Sequence, residues 1–185
     1  MLFLAYPNYA DFEIAHTLFF LRKKGKARIT TATIDGNFVI SLGGLQTQAD
    51  AGVFEIEVKK YDLVLISGGD GIGEVMNEET IHTLLQEAAS LHIPIASICT
   101  SAVLLGKAGL LKGKKFTCLL NTHAIFQEVF VGSEYTGTDI EIQESFITAK
   151  GTAFVEFTVA VGDMLGLWKS NEESSNVLKF CKGEV

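Results

Sequence analysis

Cys99 stands alone in 95-IASICTSAVLLGKAGLL-111, between a short apolar run and a series of small residues. A free cysteine packs like a small hydrophobe, and packing alone would account for it. The pattern also reads as a strand followed by a helix, with the cysteine at the turn. A sulfur there faces the unpaired N–H groups and positive end of the helix, which favour thiolate over thiol. The thiolate is both the nucleophile and the form that oxidises. Such an elbow is tight and calls for small neighbours. Ser97, Thr100, Ser101 and Ala102 supply them, although Ser101 replaces the glycine usual two residues after the nucleophile.

Other residues could complete a site around that sulfur. The turn 67-SGGDG-71 brings the amides of Gly68 and Gly69 to the end of a strand. With the amide of Thr100 they could form an oxyanion hole; glycines also simply end strands. Glu13 lies in the first turn of the first helix, where an acid complements the helix dipole. Beside the sulfur, an ionised Glu13 would raise the cysteine pKa. A carboxyl kept protonated by burial would instead donate to the thiolate and stabilise it. Only the second arrangement makes an acidic cysteine. Among four histidines, His16 follows Glu13 by one helical turn, and His82 and His92 flank a peripheral helix. His123, downstream of the cysteine, is the candidate general base, against the structural role a lone histidine more often has.

The elements that must position these residues alternate strand and helix. MLFLAYP is a buried strand, and a helix runs from Asp11 to Gly25. The segment 27-ARITTATI-34 is a strand, with a turn at Asp35-Gly36 and a further strand or hairpin arm at 37–44. A polar link follows, then the strand 62-DLVLISGGDG-71 and a helix over 78–91. The strand 93–98 leads to Cys99 and a helix over 101–108. A short strand near Phe116, a helical piece over 123–130, a hairpin-like region over 133–149 and a helix over 152–168 come next. Asn171, before Glu172 and Glu173, signals the cap of a final helix. Strands separated by helices predict a mostly parallel sheet covered on both faces, a three-layer α/β sandwich. Ligands in such sheets bind beyond the carboxyl ends of the strands. Glu13, Gly68-Gly69 and Cys99 all fall at that edge, though far apart in sequence.

The 185 residues suit one domain over 1–185, with a core of about 1–168 and a helical tail over 169–185. The formal net charge of −7 and the absence of a Lys/Arg stripe argue against a nucleic-acid partner. The cluster Arg22, Lys23, Lys24 and Lys26 reads as a solvated helix end. No apolar run is long enough to span a bilayer and MLFLAYP reads as a strand rather than a signal peptide, so the expected compartment is the cytoplasm. Cys99, Cys118 and Cys181 form neither a disulfide framework nor a metal motif.

The strand 62-DLVLISGG-69, the elbow 97-SICTSAVLLGKAGLLKGKKFT-117, the segment 146-FITAKGTAFVEFTVAVGDMLG-166 and the acid of 10-ADFEIA-15 resemble the ThiJ/PfpI superfamily. That group includes the Parkinson disease protein 7 family, within the class I glutamine amidotransferase-like fold. The resemblance spans about residues 1–168. It implies a flavodoxin-like sandwich, commonly dimeric, with no metal or organic cofactor. It makes Cys99 the nucleophile, Glu13 the carboxyl bonded to it, and Gly68, Gly69 and Thr100 the backbone donors beside the sulfur. Members include cysteine hydrolases, glyoxalase or deglycase enzymes, isonitrile hydratases, chaperones and oxidative-stress sensors.

Departures narrow these expectations. The peptidase-like branch carries histidine where Thr100 stands. Glutaminases carry a late His-x-Glu pair, and Phe154 stands two before Glu156. Other relatives place a histidine near the position of Leu119, four residues before His123. The leading expectation is a cysteine-dependent enzyme acting through a Cys99 thiolate on a small electrophile such as a 2-oxoaldehyde. The alternatives are an oxidative-stress sensor or chaperone-like protein using Cys99 oxidation, and an inactive binding domain of the same fold. A homodimer with a small-molecule substrate is expected.

Overall fold

The first apolar run forms β1 (Leu2–Leu4), all three residues buried, in a computed structural model that describes residues 1–184. The other strands of its sheet are β2 (Thr30–Thr33), β3 (Ala51–Gly52), β4 (Val64–Ile66), β5 (Ile95–Ile98), β6 (Ile140–Ile142) and β7 (Phe146–Ala149). Their order across the sheet is β6-β7-β5-β4-β1-β2-β3. Every pairing is parallel except β6 with β7, an antiparallel hairpin at one edge. In β1, β4, β5 and β7 every residue is buried. Parallel strands covered on both faces need such unbroken runs, which makes β1, β4 and β5 plain in the sequence, whereas β7 lies within the region read only as hairpin-like.

The longer helices are α1 (Phe12–Lys23), α2 (Glu79–Ser90), α3 (Ala102–Lys107), α4 (Phe154–Met164) and α5 (Asn171–Lys182). On one face α1 and α5 pack against α4, and α2 packs against α3 on the other. Thr17 and Thr158 join α1 to α4 through a buried hydroxyl pair at 2.9 Å. The fold is thus the flavodoxin-like α/β arrangement, with Cys99 at the turn between β5 and α3. Among the described residues, no helix is long and apolar enough to cross a membrane.

Several local features differ from the sequence reading. The polar link after 37–44 contains the second arm of a small hairpin, Gln46–Thr47 paired with Val39–Ile40, and then the edge strand β3. The helical piece expected over 123–130 begins at Leu120 and ends at Ile125, followed by a tighter turn over Gln127–Phe130. Phe130 turns inward onto Phe116, with ring centroids 4.5 Å apart, and that packing replaces the continuing helix. The cap of α5 is Ser170, whose hydroxyl accepts the Glu173 N–H at 3.2 Å. Asn171 is already the first helical residue. The segment 133–149 contains a true hairpin, β6–β7, but Glu134–Tyr135 pairs in parallel with Lys115–Phe116.

Candidate functional site

Four strand ends build the site. The loop after β1 is stitched to the loop after β4: Ala10 N–H donates to Gly68 O (2.8 Å), Ser67 Oγ to Ala10 O (2.6 Å) and Tyr6 OH to Ser67 O (2.8 Å). These bonds fix where α1 starts, so Glu13 in its first turn meets the glycine turn. Gly68 N–H donates to Glu13 Oε2 at 2.8 Å. A side chain at Gly68 would run into Cys99 Cβ, with Cys99 Sγ 3.0 Å and Glu13 Oε2 2.6 Å from its first carbon.

The elbow itself is strained. Cys99 has φ 63°, in the left-handed region that non-glycine residues rarely enter. That conformation costs about 1–3 kcal/mol and persists only where surrounding contacts hold it. Here Ser101 Oγ donates to Ile98 O at 2.7 Å and lies 2.8 Å from Ser97 Oγ, bracing both sides of the turn. The small residues read from sequence therefore do more than avoid clashes. Cys99 and Glu13 are 7% and 3% exposed, a nearly closed pair at the sheet rim.

The electrostatics run against the acidic cysteine that a helix start suggests. Burial pushes the Cys99 thiol up, and the Glu13 charge and the bond between the two groups push it further. The Thr100 N–H facing the sulfur works the other way and is outweighed. Only a short turn over Cys99–Ser101 and the six-residue α3 follow Cys99, a small dipole against two buried acids. Burial also raises Glu13, partly offset by hydrogen bonds from Cys99 and Gly68. Both shifts resist loss of the proton in the bond between carboxyl and thiol, which would leave two buried anions in contact.

The fourth strand end supplies a residue the sequence reading passed over. Gly151 follows β7, and a Cβ there would crowd both Glu13 Oε1 and Cys99 Sγ, the latter at 2.9 Å. Because β7 pairs with β5, with Ala149 opposite Ile98, Gly151 reaches the rim beside the elbow. The rule that singled out Gly68, a glycine where a buried strand ends at the ligand edge, would have found it.

Thr100 contributes more than its amide. Its hydroxyl accepts the Gly69 N–H and donates to Gly69 O, both at 2.9 Å. The structure thus brings Cys99, Glu13, Gly68, Gly69 and Thr100 together. It does not join His123 to them: among the described residues, no hydrogen bond links its ring to Cys99 or Glu13. That ring stacks on Tyr135 at 4.1 Å and lies near Phe130 and Phe116. Cys118 lies buried next to this cluster, its thiol pushed up to about 12 by burial and held back slightly by the His123 N–H. His16 stacks on Phe154, and its buried Nδ1 has no hydrogen-bond partner among the described residues. Among the described residues, no group of three or more His, Cys, Asp or Glu could hold a metal ion.

Known proteins share this arrangement of chain. The Bacillus subtilis protein named uncharacterized protease YdeA is 28% identical over 168 residues, covering 89% of this chain and 82% of its own. Deglycase PfpI of Pyrococcus furiosus is 20% identical over 150 residues, covering 81% and 89%. The solved structure of the DJ-1 superfamily protein Atu0886 of Agrobacterium tumefaciens superposes with a TM-score of 0.86, at 24% identity, over 100% of this chain and 98% of that one. The model of the DJ-1/PfpI family matches residues 1–163, from the first strand through the whole rim, and the chain belongs to that family.

Proposed function

We propose that this protein is a cysteine-dependent enzyme that attacks a small electrophilic carbonyl compound, a 2-oxoaldehyde, through the sulfur of Cys99. The observation that carries the reading is the tight joining of one thiol and one carboxyl between two glycines. Gly68 and Gly151 leave room for the pair and for little else. The large grooves of the molecule, about 720 and 790 Å³, are lined by other residues. A substrate for this rim is therefore small.

The chemistry follows from the shared proton. Glu13 takes the thiol proton as Cys99 Sγ bonds to the aldehyde carbon. The π pair of the carbonyl moves onto its oxygen, making an oxyanion that regains the proton from Glu13. The product is a hemithioacetal. Glu13 moves its carbon-bound proton to the oxygen of the neighbouring carbonyl, giving an enediol; the hydroxyl on the sulfur-bearing carbon then loses its proton as the adjacent carbon gains one through Glu13, giving a thioester. Water then releases a 2-hydroxy acid and restores the thiol. No step needs His123. An oxidation-sensing role draws less support, because burial and the facing carboxylate both disfavour the thiolate that oxidants attack.

Cys99→Ala is the direct test. Its 2-oxoaldehyde turnover is expected to fall to background, a loss of at least about 10³-fold, with the fold retained. Equal rates for variant and wild type would remove Cys99 from the mechanism. We also propose a homodimer, since Phe38, Ile40, Leu42 and Leu45 stand exposed together on and beside one small hairpin. Light scattering after size exclusion is expected to give twice the chain mass, and a monomer mass at micromolar concentration would refute it.

A further inference from the structure

The backbone donors expected to stabilise the oxyanion are already occupied. Gly68 N–H is bonded to Glu13 Oε2 and Gly69 N–H to Thr100 Oγ1. That leaves the Thr100 N–H, which faces the sulfur, as the donor in place. A single amide is a weak oxyanion hole. The Gly69 amide is a second donor beside the elbow, and one hydroxyl controls it.

We propose that the Thr100 side chain is a positioning residue: it holds the Gly69 peptide at the elbow and passes its N–H to the oxyanion formed on Cys99. Two bonds from one hydroxyl make this possible. As acceptor, Oγ1 caps the Gly69 N–H while the site is empty. As donor, it grips the Gly69 carbonyl, in the following peptide unit, so one hydroxyl holds Gly69 from both sides of its Cα. A developing oxyanion is a stronger acceptor than a hydroxyl and takes the N–H over, while the grip on the carbonyl remains. Gly69 needs such a grip on both sides, because it has φ 139° and no side chain to define its conformation. Its other restraints come from the 8–10 loop, through the bridge between Tyr9 and Gly69 and the bond from Asp70 N–H to Asn8 O. The threonine noted above as the residue that replaces a peptidase histidine thus acquires a task of its own. Its methyl group leaves the hydroxyl fewer rotamers than a serine would have.

This inference rests on the carbonyl chemistry proposed above, and two reactions of Cys99 separate them. Hemithioacetal formation with methylglyoxal creates an oxyanion. Alkylation by iodoacetamide displaces iodide at a saturated carbon and creates none. In Thr100→Val, which keeps the shape and loses the hydroxyl, adduct formation and kcat are expected to fall at least about tenfold, less than the about 10²–10³ lost when a donor is deleted outright. KM and the alkylation rate are expected to stay within about twofold. Thr100→Ser is expected to restore the carbonyl reaction to within about threefold of wild type. Unchanged methylglyoxal kinetics in Thr100→Val would overturn the proposal. So would an equal fall in alkylation, which marks a general disturbance of the elbow, or a serine variant as slow as the valine. If wild type forms the adduct without turning it over, the enzymatic reading fails while this one stands or falls on the adduct rates. If wild type turns over and the valine variant matches it, the reverse holds. No adduct at Cys99 in wild type would overturn both.

Discussion

Glu13→Gln is expected to speed alkylation of Cys99 and to slow turnover, two effects that ordinarily move together. Burial is the first reason the thiol lies above its usual range, and it persists in the variant. The second and third are the carboxylate charge and the bond to it, and glutamine removes both. The alkylation midpoint should therefore lie above the free-thiol value of about 8.5 in wild type and move down in the variant. Alkylation requires the thiolate, so at a fixed pH below the midpoint each unit of lowering gives about a tenfold gain. Turnover responds in the opposite sense. Glutamine cannot accept the thiol proton or return it to the oxyanion, and loss of a general acid–base group costs about 10²–10⁴. In wild type, turnover also needs an ionised Glu13. Burial raises that group, so activity should fall on acidification with a midpoint above the ordinary 4.5. Iodoacetamide profiles and methylglyoxal turnover on the same samples decide the matter. A variant in which both rates drop, or in which the alkylation midpoint rises, would show that Glu13 does not face the sulfur as a charge.

The parts of this molecule legible in its sequence are those dictated by burial. β1, β4 and β5 are short apolar runs ending in glycine, cysteine or a turn, and their ends define the rim. Alternation of helix and strand was enough to bring Glu13, Gly68 and Cys99 to one edge. Other features depended on partners remote in sequence. β3 is two residues long and takes its place from β2 rather than from any hydrophobic pattern. Phe130 leaves the helical path because Phe116, fourteen positions earlier, is there to stack on. The direction of the cysteine shift was also out of reach. A helix start argues for a lowered thiol, and only the depth of burial and the closeness of Glu13 reverse it. His123 shows the same limit. Its spacing after the elbow suggested a base, while its ring is taken up by Tyr135.

Gly151→Ala is expected to cost about 10²-fold in turnover while leaving the fold intact. The added Cβ would meet Cys99 Sγ at 2.9 Å, Cys99 Cβ at 3.1 Å and Glu13 Oε1 closer still. Neither reacting group can stay where it is. The cysteine backbone is already committed to φ 63° and braced by Ser97 and Ser101, so it has little freedom to yield. The Glu13 carboxyl is a side-chain end and moves first, which breaks the proton path to the sulfur and strains the bond from Gly68 N–H. A displacement of about 1 Å between reacting groups is enough for a loss of that order. The cost to stability should be smaller, about 1–3 kcal/mol for one overpacked contact. Gly73→Ala serves as the control, since a Cβ there meets nothing within 4 Å. Thermal melts and methylglyoxal kinetics on both variants separate the two terms. If Gly151→Ala keeps wild-type kcat, the carboxyl is not the group that moves the thiol proton, and the pairing of Glu13 with Cys99 is a packing arrangement rather than a catalytic one.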